Sequence, residues 1–228
     1  MYKVLLWDID GTVLNFLKSE SYAIRCTFSE LGICENISDG EIAEYSKINQ
    51  KYWLMLEKGM INKREVQNGR FREFFELKGI DFTDLDGLNV IYQHYLGEKF
   101  FYNDGAREML TKLKGSYRQY AITNGSKSVQ TKKLKKAGLT DILDGMFISD
   151  EIGYEKPDER FFDAVLSSVG ECARDEMLII GDSLTSDIKL ANNVGVPCVW
   201  YNPDGAVCEK DLRIDYQISS FSELNGIL

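Results

Sequence analysis

The feature that most constrains the fold of this chain is an alternation that begins near residue 104. Short apolar runs alternate there with amphipathic stretches whose apolar side chains recur at helical spacing. Strands are predicted at residues 120–122, 146–148, 177–180, 197–201 and 216–218, and helices at 106–113, 128–137, 159–169 and 186–193. This order is typical of a parallel sheet with helices on both faces.

The N-terminal part of the chain does not share this alternation. Residues 4–7 (VLLW) are an apolar run too short for a helix, and they predict a buried first strand. The apolar residues that follow have helical spacing, with capping-box patterns at 38–41 (SDGE) and 62–65 (NKRE) and a further helix predicted at 88–96. No alternating strand pattern interrupts them.

These patterns predict an α/β protein with an inserted helical unit. The core has a doubly wound, Rossmann-like and mostly parallel sheet, formed by residues 1–16 and 101–228. Residues 17–100 form an all-α cap of four helices. A length of 228 residues suits a core domain that carries such an insertion.

The composition disfavours several classes of function. A net charge of −9 disfavours binding to a nucleic-acid polymer, which needs a basic surface. The first apolar run stops at Asp8, so we expect neither a secretion signal nor a membrane span. Five scattered cysteines without a CxxC pair indicate reduced thiols and a cytoplasmic protein. The single histidine excludes a two-histidine zinc site. We expect the protein to be a monomer or a weak homodimer.

Polar side chains follow four of the predicted strands, where ligands of parallel sheets bind. In chain order these residues are Asp8 and Asp10, Thr123 and Asn124, Lys156, and Asp182 and Asp187. The carboxylates of Asp8 and Asp10 point to the same side of an extended chain and repel each other unless a cation neutralises them. Mg²⁺ prefers such oxygen ligands and would neutralise Asp8 and Asp182, while Lys156 would offset further negative charge. A calcium loop is excluded, because its twelfth position falls on Ser19 instead of a glutamate.

Together, the four groups of residues resemble the motifs of the haloacid dehalogenase-like superfamily. The DxDGT motif of that family is matched by residues 8–12, and its strand-ending Ser or Thr by Thr123. Its lysine, often followed by proline, is matched by Lys156, and its GDxxxxD motif by residues 181–187. The resemblance spans nearly the whole chain, and the helical insertion resembles the family's first-type cap.

The resemblance implies a phosphatase. It makes Asp8 the nucleophile that forms an aspartyl-phosphate, and Asp10 the general acid and base. Dehalogenases attack carbon and need no such proton donor, so Asp10 favours a phosphatase. The implied Mg²⁺ is held by Asp8, Asp182 and the backbone carbonyl of Asp10, with Asp187 nearby. The implied phosphate site consists of Thr123, the backbone N–H around Asn124, and Lys156.

The expected substrate is a small phosphorylated metabolite. The cap stretches 53–59 (WLMLEKG) and 69–75 (GRFREFF) resemble the pyrimidine 5′-nucleotidase branch of the family, which implies that Trp53, Arg70 and Phe71 contact a nucleoside 5′-monophosphate. The same aromatic residues also fit packing inside the cap. Alternatives are a phosphoglycolate or sugar-phosphate phosphatase, a phosphomutase, and a non-catalytic regulatory member of the fold. The lysine-rich stretch 131–136 (TKKLKK) predicts a solvated helix face.

Overall fold

The structure is a computed structural model that describes residues 1–208 and 211–228. The chain divides into two compact units. Met1–Asn15 and Phe101–Leu228 form the first, which we call the α/β unit, and Phe16–Phe100 form the second, which we call the helical unit. Within the two described ranges, no helix combines the length and the apolar character needed to cross a membrane.

The structure contains each of the predicted strands. In chain order the strands are β1 Val4–Trp7, β2 Arg118–Thr123, β3 Gly145–Ile148, β4 Met177–Gly181, β5 Cys198–Tyr201 and β6 Tyr216–Ile218. The helices are α1 Phe16–Glu30, α2 Asp39–Glu57, α3 Lys63–Lys78, α4 Leu85–Glu98, α5 Ala106–Leu113, α6 Lys127–Lys136, α7 Ser149–Ile152, α8 Glu159–Val169 and α9 Asp187–Val194. Short 3₁₀ helices lie at Leu139–Asp141, Arg174–Glu176 and Phe221–Gly226.

The strands of the α/β unit form a single parallel sheet in the order β3-β2-β1-β4-β5-β6. The chain winds outward from β1 to β3, then returns to β4 and winds outward to β6 on the other side. This confirms the doubly wound order. Because the direction of winding changes between β1 and β4, the carboxyl ends of these two strands are where a sheet of this kind binds its ligand.

Both faces of this sheet are buried, which is why its central strands are continuous apolar runs. Val4 and Leu6 of β1 belong to a buried cluster with residues of α8 and α9, such as Phe161. Successive side chains of a strand point to opposite faces, so Trp7 packs on the other side. Its ring stacks on Phe221 at a centroid distance of 6.2 Å, and its Nε1 donates to Gln119 Oε1 at 3.1 Å.

The helical unit contains α1 to α4. The predicted capping boxes at the starts of α2 and α3 are confirmed: Ser38 pairs with Glu41, and Asn62 pairs with Glu65. Helix α4 begins earlier than predicted, because the Asp84 side chain accepts from the Gly87 N–H at 2.9 Å and caps the helix there. Aromatic rings pack its interior, namely Phe28, Tyr45, Phe71, Phe74, Phe75 and Tyr92.

A buried polar network also lies inside the helical unit. The Glu20 carboxylate accepts hydrogen bonds from Ser46 and, at 2.6 Å, from Asn49 Nδ2. The guanidinium of Arg70 donates to Asn49 Oδ1 at 2.9 Å and to Asn89 Oδ1 at 3.0 Å. Burial raises the pKa of Glu20 above 4.5, although these hydrogen bonds and the charge of Arg70 oppose the shift.

Candidate active site

The carboxyl ends of β1, β2 and β4 bring the predicted polar residues to one edge of the sheet. Trp7, the last residue of β1, pairs with Ala121 of β2 and Ile180 of β4. The Asp8 N–H donates to the Ile180 carbonyl at 2.9 Å, which fixes the backbone of Asp8 against β4. Thr123 ends β2, and Gly181 ends β4 immediately before Asp182.

The two carboxylate oxygens of Asp8 have different surroundings. Asp8 is only 7% exposed, and its Oδ1 accepts from Lys156 Nζ at 2.8 Å. Its Oδ2 is buried and accepts no hydrogen bond from any residue that the structure describes. A buried charged oxygen without a partner is costly, typically by about 1–3 kcal/mol or more. Asp8 Oδ2 is therefore the atom of this site that is arranged to meet a ligand.

Lys156 is buried among oxygen atoms. Besides Asp8, its Nζ donates to Asp187 Oδ1 at 2.7 Å and to the Ile122 carbonyl at 2.9 Å, so three donor positions are used. Burial alone would lower the pKa of Lys156, but the carboxylates of Asp187 and Asp8 raise it above its ordinary value. Lys156 is therefore a permanent positive charge that orients Asp8.

The two aspartates of the GDxxxxD motif are held differently. Asp182 Oδ1 accepts from Thr12 Oγ1 at 2.9 Å. Both oxygens of Asp187 are engaged, Oδ1 by Lys156 and Oδ2 by the Ser183 N–H at 3.1 Å. A glycine is required at position 11, because a Cβ there would lie 2.4 Å from Asp182 Oδ2 and because φ is +109°.

Asp8, Asp182 and Asp187 each place a carboxylate oxygen within 4.8 Å of the others. Three carboxylates around the single ammonium of Lys156 leave two negative charges uncompensated. Burial, followed by the charge of Asp187, raises the pKa of Asp8 well above its usual range and that of Asp182 to about 7. An all-oxygen ligand set with this excess of negative charge fits a hard divalent cation such as Mg²⁺.

Thr123 and Asn124 lie beside Lys156. Thr123 is 2% exposed, and its Oγ1 accepts from the Gly125 N–H at 3.1 Å. The Asn124 side chain accepts from the Lys156 N–H at 2.8 Å and donates to the Lys156 carbonyl at 2.9 Å. The side chain of Asn124 thus fixes the backbone at Lys156. The contact with phosphate predicted for Asn124 is made by its backbone N–H and not by this side chain.

Asp10 contacts helix α6, none of whose residues is predicted from the sequence to belong to the site. Gln130 Nε2 donates to Asp10 Oδ2 at 2.5 Å, and Lys133 Nζ forms a salt bridge with Asp10 Oδ1. The Lys133 side chain is fully buried, so the prediction of a solvated face at residues 131–136 is wrong for this residue. Lys133 follows Val129 by four residues and so lies on the buried face of α6, a spacing that could have identified it.

The three cap residues predicted to contact a nucleotide lie in the helical unit. Phe71 is fully buried, with ring centroids 5.1 Å from Tyr45 and 5.3 Å from Tyr92. Arg70 is 2% exposed, and its guanidinium lies 4.6 Å from the centroid of the Tyr92 ring. Trp53 on α2 is half-buried and retains exposed surface. Packing accounts for Phe71 and Arg70, whereas Trp53 offers a ring that a ligand could contact.

Comparison with known proteins finds a matching family and relatives that are similar over nearly the whole chain. The family model described as haloacid dehalogenase-like hydrolase matches residues 5–201. The HAD-hydrolase YfnB of Bacillus subtilis is 33% identical over 227 residues, which are 100% of this chain and 95% of YfnB. A magnesium-bound crystal structure of YfnB matches with a TM-score of 0.93 at 32% identity, over 99% of this chain and 98% of the other.

Two pyrimidine 5′-nucleotidases are also similar over nearly their whole length. PynA of Streptococcus pneumoniae is 33% identical, over 98% of this chain and 93% of PynA. YjjG of Escherichia coli is 27% identical, over 98% of this chain and 96% of YjjG. The chain therefore belongs to the haloacid dehalogenase-like hydrolase family, as an enzyme of the phosphatase type.

Proposed function

We propose that this enzyme is an Mg²⁺-dependent phosphomonoesterase that hydrolyses pyrimidine nucleoside 5′-monophosphates through an aspartyl-phosphate on Asp8. The observation that carries the proposal is the buried Asp8 Oδ2, which has no partner among the described residues while Lys156 holds Oδ1. The similarity to two pyrimidine 5′-nucleotidases, at 33% and 27% identity, supports the substrate class.

Asp8, Asp182 and the backbone carbonyl of Asp10 would hold the Mg²⁺, with Asp187 beside them. The cation would balance the excess negative charge of the site and attract the oxygens of the phosphoryl group. Asp187 contributes by fixing Lys156, because both of its oxygens already accept hydrogen bonds.

In the first step Asp8 Oδ2 attacks phosphorus, and the bond between phosphorus and the ester oxygen breaks. Lys156 keeps Asp8 oriented through Oδ1 while Oδ2 forms the new bond. Asp10 donates a proton to the departing alkoxide. The Thr123 hydroxyl and the backbone N–H at Asn124 stabilise the negative charge on the phosphoryl oxygens.

In the second step Asp10, now a carboxylate, removes a proton from water. The resulting nucleophile attacks the phosphorus of the aspartyl-phosphate, which releases inorganic phosphate and regenerates Asp8. General acid and base catalysis of this kind contributes about 10²–10⁴-fold to the rate. The position of Asp10 two residues after the nucleophile thus supports a phosphatase over a dehalogenase.

The helical unit would select the substrate. A nucleobase stacked on the exposed part of Trp53 would gain on the order of 1–3 kcal/mol, by analogy with base stacking on aromatic side chains. Arg70 and Phe71 are buried, so they would act through the helices that they hold in place. Arg70 in particular connects α3 to Asn49 of α2 and Asn89 of α4.

A phosphate-release assay tests the proposal. The purified enzyme is incubated with UMP, dUMP, dTMP, phosphoglycolate, glucose 6-phosphate and p-nitrophenyl phosphate, each with Mg²⁺ and with a chelator. We expect the highest kcat/KM for the pyrimidine nucleotides and no turnover with the chelator. A preference for phosphoglycolate or sugar phosphates would overturn the nucleotidase assignment. Transfer of labelled phosphate to a second sugar hydroxyl, in place of phosphate release, would identify a phosphomutase.

Variants of Trp53 separate substrate contact from packing. Trp53→Ala should raise KM for UMP by about 5–150-fold, the equivalent of losing 1–3 kcal/mol of stacking. Hydrolysis of p-nitrophenyl phosphate should change little, and Trp53→Phe should retain most of the affinity for UMP. Equal losses on both substrates would show that Trp53 serves only to pack the helices.

A further inference from the structure

Two buried side chains of helix α6 converge on Asp10. Gln130 Nε2 lies 2.5 Å from Asp10 Oδ2, and Lys133 Nζ forms a salt bridge with Oδ1. Gln130 is 1% exposed and the Lys133 side chain is 0% exposed, whereas the Asp10 side chain is 22% exposed. Residues three apart on a helix lie on the same face, so one helix presents a cation and an amide side by side to one carboxylate.

The surroundings of Gln130 indicate that this contact is maintained at a cost to stability. Its Oε1 is buried and accepts no hydrogen bond from the described part of the chain. An unpartnered buried amide oxygen is unfavourable, and here it accompanies an amide nitrogen that faces Asp10. A Cβ at position 125 would lie 2.1 Å from Gln130 Nε2, so a larger residue there would displace the Gln130 amide from Asp10.

The geometry points to a specific role: we propose that Lys133 and Gln130 are positioning residues, which fix the carboxylate of Asp10 for proton transfer. The inference rests on the proposed function only in taking Asp10 as the general acid and base. A carboxyl group with one donor on each oxygen cannot rotate freely. Each oxygen still has a second lone pair, which holds the proton that Asp10 donates to the ester oxygen or accepts the proton that Asp10 removes from water.

Proton transfer needs the donor and acceptor heavy atoms within about 2.6–3.2 Å, so the orientation of Asp10 before substrate binds affects the rate. In this arrangement each of the two catalytic aspartates is paired with its own buried lysine. Lys156 orients the nucleophile Asp8, and Lys133 orients Asp10.

The principal variant is Lys133→Met, which keeps the length of the side chain and removes its donor. With UMP we expect kcat to fall by about 100-fold at nearly constant KM, as for a misplaced catalytic group. With p-nitrophenyl phosphate the loss should be smaller, because nitrophenolate departs without full protonation. Lys133→Arg should restore part of kcat. Lys135→Met, which removes an exposed charge from the same helix, should behave as the wild type.

A double-variant cycle tests whether Lys133 acts through Asp10. In an Asp10→Asn background, Lys133→Met should lower kcat by less than twofold, because the group that it positions is already absent. Losses that multiply in the double variant would overturn the proposal. So would an unchanged kcat in Lys133→Met accompanied by a lower Tm.

Gln130→Leu keeps the proposal testable if Lys133→Met does not fold. This variant removes the donor to Asp10 together with the unpartnered amide oxygen, so it should fold and still have a lower kcat. A wild-type kcat in Gln130→Leu would contradict the inference. If the wild type does not hydrolyse UMP, the nucleotidase assignment fails, and the same comparison is made on the best alkyl phosphate of the panel.

Discussion

Replacing Lys156 by Met should destabilise the α/β unit strongly. The ammonium donates to Asp8, to Asp187 and to the Ile122 carbonyl, and the side chain is 1% exposed. Without it, the clustered carboxylates of Asp8, Asp182 and Asp187 face one another with no ammonium between them, and the uncompensated charge rises from two to three.

The magnitude follows from the burial of these groups. Removing one partner of a buried ion pair typically costs about 3–5 kcal/mol. For a chain of this size, 1 kcal/mol shifts Tm by about 2–4 °C, so the expected loss in Tm is about 6–20 °C. A neighbouring exposed lysine provides the control: Lys189→Met on α9 should change stability by less than about 0.5 kcal/mol.

Thermal unfolding with and without Mg²⁺ is the assay. Because Lys156→Met adds to the negative charge of the site, Mg²⁺ should raise the Tm of this variant by more than it raises that of the wild type. The double variant Lys156→Met/Asp187→Asn removes one of the opposing carboxylates and should recover part of the lost Tm. A double variant no more stable than Lys156→Met would refute the reasoning from charge.

Three further outcomes are expected. Asp8→Asn should abolish hydrolysis of p-nitrophenyl phosphate, because an amide is a poor nucleophile, and measurable turnover well above background would disprove the assignment. Gly11→Ala should weaken Mg²⁺ binding in calorimetric titrations, since its Cβ would meet Asp182 Oδ2 at 2.4 Å, whereas Gly115→Ala, also at positive φ but with open space, should not. The Tm of Glu20→Gln minus that of the wild type should increase as the pH rises from 4 to 7. Burial raises the pKa of Glu20 above 4.5, so the unfolded chain ionises first and the wild type loses stability through this range. A Tm difference independent of pH would contradict this last expectation.

The sheet could be predicted from the sequence because its strands are buried on both faces. A strand such as Met177–Gly181 is an uninterrupted apolar run, and its last residue fixes where the polar side chains begin. Helix α7 was not predicted, because its four residues are too few to show a helical period. The start of α4 was misplaced because the Asp84 cap, a single side-chain contact, decides it.

The contact between Lys133 and Asp10 could not be predicted from local sequence. Lys133 belongs to a run of lysines whose usual position is a solvated face, and its partner lies 123 residues earlier in the chain. Only the fold brings α6 beside the turn after β1. The helical period indicated only that Lys133 is buried, since Val129, Lys133 and Leu134 share the buried face of α6.

The charge balance of the site connects these findings. From the sequence, Asp8, Asp10, Asp182 and Asp187 are predicted at one edge with Lys156 as the one positively charged side chain, which leaves an excess of three negative charges for a cation to balance. The structure adds Lys133, which pairs with Asp10 and reduces that excess to two. A buried lysine is rarely tolerated without such a partner. Two uncompensated negative charges equal the charge of a divalent cation. The pairing of Lys133 with Asp10 therefore makes the charge of the site fit Mg²⁺.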